Sequence, residues 1–180
     1  MIKSCAASVK LLEVKRMKKA RFALAVAALT AGQIMAQQPT PQPQPWDEVA
    51  LRAFNNVHDR LIAMARDTKF PAEKENYRPH PDVRSLIEEL QHATAVLVTR
   101  VDRMKGGQRE LGAIMASLPK DRTGIAVVLE KARAEYVSLW QKDKGAMIID
   151  LAEYAGEHYG KLVTMYRVIG LAPPGGRPSD

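Results

Sequence analysis

The side chains best able to bind a metal or move a proton near neutral pH are four histidines, His58, His80, His92 and His158. His92 closes a Glu89-x-x-His92 spacing, one half of the motif with which helical bundles hold two irons. Such a centre needs a second Glu-x-x-His, and Ala155 stands where its glutamate belongs, so the pattern is half met. At about 100° per residue, Tyr154 and His158 lie on the same side of one helix, flanking its apolar stripe, where both can face a groove beside the core. Glu153 and Glu157 nearby read either as general bases beside a bound water or as a solvated helix face. The same angular count sets His92 opposite the main apolar stripe of its helix and His58 off the stripe of its own, so periodicity reads both as surface. His80, between Pro79 and Pro81, reads as an exposed or turn-capping residue.

These residues need helices to position them, and the pattern supplies four. Trp46, Val49, Ala53, Val57, Leu61 and Met64 recur at three- and four-residue steps, which predicts a first helix over about 46–68, closed by Phe70-Pro71. After Pro79-His80-Pro81 the stripe Val83, Leu86, Ile87, Leu90, Thr94, Leu97, Val101 and Met104 predicts a second helix ending at Lys105-Gly106-Gly107. Residues 108–120 read as a long connection with one helical turn or two. Asp121 or Thr123 can cap a third helix with Ile125, Val128, Leu129, Ala132, Tyr136 and Leu139 inward, ending near Lys142. The fourth begins around Ala146 and turns Ile148, Leu151, Ala155, Tyr159, Leu162, Tyr166 and Ile169 to the core, until Gly170 caps it and Pro173-Pro174 forbid continuation. No stretch after residue 37 reads as a strand. The fold class is all-α, a four-helix bundle with one long connection.

With 180 residues, 46% hydrophobic and 26% charged, the chain is one domain's worth of soluble protein. Its net charge of +7 is concentrated at the front: residues 1–36 hold seven lysines and arginines against Glu13, leaving the rest at +1. A nearly neutral body has no broad field for phosphates, which argues against nucleic acid as a partner. Met17-Lys18-Lys19-Ala20-Arg21, the apolar run Phe22 to Gly32 and Ile34-Met35-Ala36 read as a signal peptide ending at residue 36, with Met17 the true start. The apolar run is too short to span a bilayer, so the mature form is expected to be periplasmic or extracellular with no membrane span. The alternating prolines of residues 37–45 read as a Pro/Gln-rich tether, residues 46–173 as the bundle and 174–180 as a tail. Cys5, the single cysteine, falls in the leader, so the bundle has neither a disulfide nor a thiol nucleophile.

Three blocks carry a family resemblance. They are Asn76-Tyr77-Arg78-Pro79-His80-Pro81-Asp82-Val83-Arg84-Ser85, the seven-residue step from Ser85 to His92, and Glu157-His158-Tyr159-Gly160-Lys161-Leu162-Val163-Thr164-Met165-Tyr166-Arg167-Val168-Ile169-Gly170 with Pro173-Pro174. Over about residues 46–178 the chain resembles the DinB-like four-helix-bundle superfamily, which includes the YfiT-type hydrolases and thiol transferases. The resemblance implies an up-down-down-up bundle and a divalent metal, zinc or nickel, with His92 and His158 at ligand positions. Where the family has its third histidine, this chain has Tyr154. An imidazole binds such ions neutral, whereas a phenol must first lose a proton with a pKa near 10, so the resemblance implies weak affinity or a harder ion such as ferric iron. Two functions follow from the resemblance. One is a divalent-metal-dependent hydrolase or transferase acting on a small-molecule substrate, with metal-bound water as nucleophile and Tyr154 as third ligand or acid. The other is a non-catalytic small-molecule-binding or structural module that has lost the metal. A homodimer is compatible with either.

Overall fold

The computed structural model describes residues 45–142 and 147–177; the expected signal peptide and nearly all of the tether lie outside these. Every regular element among the described residues is helical: α1 (Pro45–Ala65), α2 (Leu86–Met104), α3 (Leu111–Ser117), α4 (Arg122–Trp140) and α5 (Met147–Val168), with one 3₁₀ turn at Ala72–Lys74. None of the described helices is long and apolar enough to cross a membrane.

The side-chain pairs fix the direction of each long helix. Arg66 bonds Glu130 and Asp59 pairs with Arg133, so α1 and α4 run antiparallel. The Tyr166 hydroxyl reaches the Met64 carbonyl and Arg60 lies over Tyr159, so α1 and α5 run parallel. Gln91 bonds the Pro119 carbonyl and Lys105 pairs with Glu135, which makes α2 parallel to α4. Contacts of Glu89 with His158 and of Arg100 with Met147 make α2 antiparallel to α5. The course is therefore up, down, down, up, with α1 diagonal to α2. A parallel α2–α4 pair needs a connection that returns along the bundle, and α3 is built into it.

All four long helices bury one face in a single core that includes Phe54, Leu61, Leu90, Leu97, Leu129, Tyr136, Ile148, Leu162 and Tyr166. At roughly 25 cal/mol per Å² of apolar surface, each such side chain contributes about 1.5–3 kcal/mol, and this burial is the main force holding the bundle together. A smaller cluster of Ala95, Ile114 and Leu118 seats α3 on a second face of α2.

The local stops follow the residues. At the start of α2 Ser85 Oγ accepts from the Glu88 amide at 3.4 Å while Glu88 Oε2 accepts from the Ser85 amide at 2.8 Å, a reciprocal capping box. Asp121 caps α4 by accepting from the Gly124 amide at 2.8 Å. Gly170, at φ 81°, takes the left-handed position after α5, and the Leu171 amide closes back on the Tyr166 carbonyl.

Two expectations about faces and ends are corrected. Trp46 and Val49 are 46% and 55% exposed, because the inward face of α1 is set by Ala50, Phe54, Leu61 and Met64. That face carries Asp47 and His58 inward with it, and both are buried. Val83 stands outside α2, since the capping box starts the helix after Ser85, and α1 ends at Ala65.

Candidate functional site

His92, Tyr154 and His158 come together between α2 and α5. The His92 and His158 ring centroids lie 5.1 Å apart and those of Tyr154 and His158 4.4 Å, both edge to face. Tyr154 Oη and His92 Nε2 share a 2.7 Å hydrogen bond. His158 is buried, whereas His92 and Tyr154 are half-buried. The surface position expected for His92 fails because α2 is enclosed on more than one face, by α4, by α3 and by α5. Its apolar stripe reports only the widest of these contacts.

A fourth residue belongs with them. Glu89, one turn before His92, is 1% exposed, and its Oε1 accepts from His158 Nδ1 at 2.5 Å. Oε2 accepts from Arg84 Nη1 at 3.2 Å, and Lys161 Nζ stands 3.8 Å from Oε1. Burial alone would push this carboxyl up; the hydrogen bond and charge of His158, with Arg84 and Lys161, outweigh it and hold the group below the usual carboxylate range. An ionised Glu89 can only accept, so His158 carries its proton on Nδ1 when neutral and leaves the Nε2 lone pair open. The signal for Glu89 is the Glu-x-x-His spacing, whose glutamate serves here as a partner of His158. A shallow hollow of about 290 Å³, lined by Arg84, Glu89, Lys161 and Met165 among others, opens beside it.

Two buried ring nitrogens, His92 Nδ1 and His158 Nε2, lack a hydrogen-bond partner. A buried polar atom left alone costs about 1–3 kcal/mol, so each calls for a ligand or water. They are also what a cation would use, and a carboxylate behind His158 is the outer support common to metal-bound imidazoles. The third donor does not suit the ion. Burial raises the Tyr154 pKa above its ordinary value, which keeps the phenol protonated, and its oxygen is engaged with His92. Burial, with the charges of Arg84, His158 and Lys161, depresses the His92 pKa, so that ring is neutral near pH 7. No group of three His, Cys, Asp or Glu able to hold an ion occurs among the described residues. Two nitrogens and a protonated phenol do not make the three-ligand set of a zinc site.

The remaining candidates lie elsewhere. His58, expected at the surface, is 3% exposed, donating from Nδ1 to the Phe54 carbonyl at 2.7 Å and packing its ring 4.1 Å from that of Phe54. Burial lowers its pKa from 6.5 to about 4, so it is a neutral core residue. His80 is exposed, accepting from the Asp82 amide at 3.3 Å. Glu153 and Glu157 are exposed, with Glu157 paired to Lys161 at 2.6 Å. Ala155 is a core residue, which leaves no second carboxylate for a di-iron centre at that position. No family model, curated protein or solved structure matches the chain.

Proposed function

We propose that this chain is an exported, DinB-like helical bundle whose metal position has been rebuilt as a metal-free pocket for a small polar ligand, making it a binding module and not a catalyst. The observation that carries the reading is the 2.7 Å hydrogen bond between Tyr154 Oη and His92 Nε2. The side chain at the third ligand position is bound to the first, and burial makes it harder to ionise. With Glu89 holding His158 Nδ1, Nε2 of the neutral ring accepts a hydrogen bond from an N–H or O–H of the ligand, and that of the protonated ring donates one. His92, bonded to Tyr154, presents its other nitrogen to the same ligand or to water. Export rests on the Met17–Ala36 pattern.

The unpartnered His92 Nδ1 and His158 Nε2 favour a second reading, a divalent-metal-dependent hydrolase or transferase. It requires Tyr154 to leave His92 and lose its proton. Elemental analysis of protein purified without a histidine tag separates the two. A metal-free binding module should carry no stoichiometric zinc, nickel or iron. One metal per chain, removed by His158→Ala, would establish a metal site in place of the metal-free pocket and turn the search to hydrolase and transferase substrates.

A further inference from the structure

On the other side of α5 lies a hollow of about 510 Å³, within the size range of small-molecule sites. Tyr159, Val163 and Arg167 supply one wall at successive four-residue steps of α5, Arg60 of α1 supplies another, and Pro173 and Pro174 close the end. Its lining contains no aspartate or glutamate. The side chains of Arg60 and Arg167 have no ion-pair or hydrogen-bond partner among the described residues, a state they share with Arg52 and Arg103, whereas Arg66, Arg122, Arg133 and Arg177 are held by carboxylates. The Arg60 guanidinium lies 5.4 Å from the centroid of the Tyr159 ring, which holds it at the rim.

The proline wall is fixed in place. The Leu171 amide bonds the Tyr166 carbonyl at 2.9 Å and the Gly176 amide bonds the Pro173 carbonyl at 3.0 Å. Arg177 then grips both oxygens of Asp67, at 2.8 and 2.6 Å, and the Ala172 carbonyl at 2.7 Å. The end of α5 contributes about half a negative charge, against two full positive charges on the arginines, so the hollow attracts anions. A guanidinium presents a planar fork that matches a carboxylate, while Tyr159, Val163 and the two prolines offer apolar surface beside it.

We propose that this hollow is a second site, separate from the His92–Tyr154–His158 cluster, and that it takes a small carboxylate carried on an aromatic or branched-aliphatic body. Benzoate is the probe, with benzyl alcohol and inorganic phosphate as controls that each lack one half of the recognised chemistry. Titrated into the whole protein and followed by amide and side-chain NMR, benzoate should shift Tyr159, Val163 and Gly175 saturably and leave His92 and His158 unmoved. It should bind about tenfold or more tightly than either control, and Arg60→Gln combined with Arg167→Gln should weaken it by about tenfold or more, the loss expected for a charge-assisted contact at a solvent-exposed rim. Shifts centred on His92 and His158, equal binding of phosphate, unchanged affinity in the folded double variant, or no saturable shift would each overturn the proposal.

Discussion

A carboxylate taken out of water is stable only with partners, and Glu89 has three: His158, Arg84 and Lys161. The reverse also holds, since the ring of His158, at 1% exposure, has Glu89 as its only hydrogen-bond partner among the described residues. Glu89→Ala should therefore destabilise the fold by about 3 kcal/mol, because it leaves a buried imidazole with neither nitrogen partnered. Urea unfolding checks this, and a loss below about 1 kcal/mol would mean that the pair is not a closed buried couple. Only part of this site is legible in the sequence. Tyr154 and His158 are, because a four-residue step puts them on one side of α5. His92 is legible only through resemblance, since the periodicity of its own helix points it to solvent. The role of Glu89 is hidden, because a Glu-x-x-His spacing suggests metal chemistry and nothing in the linear pattern tells that its carboxylate meets an imidazole from another helix.

Helices are legible where a residue punctuates them and less so where packing decides. Asp121, Gly170 and the prolines mark real ends. Val83 continues the apolar period of α2 and so suggests an earlier start, yet the serine and glutamate of the capping box set the first turn after it. The face of α1 is ambiguous in sequence because Trp46 and Val49 fit a helical period as well as Ala50 and Phe54 do, and only the neighbouring helices choose between two such stripes. Ser85→Ala removes one arm of the capping box and should cost about 1 kcal/mol in urea unfolding. The first turn of α2 carries Glu89, whose amide bonds the Ser85 carbonyl at 2.9 Å, so hydrogen exchange at Glu89 should also quicken. Unchanged stability together with unchanged exchange would mean that the ion pair of Arg78 with Glu88 holds this turn without the cap.

For the molecule as a whole, the four-helix course is legible in outline, because hydrophobic period and connection length together limit the topologies, while the interior placement of His58 is not. That histidine makes stability depend on pH in a definite direction. Its folded pKa of about 4 lies below the ordinary 6.5, so between those values the unfolded chain binds the proton that the folded chain refuses. Stability should fall as pH drops below about 6.5, by up to about 3 kcal/mol once pH reaches about 4, at roughly 1.4 kcal/mol per pH unit. Asp67, Glu88 and Glu89, whose pKa values are lowered on folding, add a separate loss below about pH 4, as acid protonates them. Urea unfolding at pH 7 and pH 4.5 checks the first window, and His58→Leu should flatten it; an equal slope in that variant would move the effect to other groups. If one side chain, Tyr154, separates this bundle from a metal protein, zinc titrated into wild type and Tyr154→His will tell the two apart. The expected result is one tightly bound zinc per chain in Tyr154→His and none in wild type, whereas equal stoichiometric binding by both would show that Tyr154 does not close the site to metal.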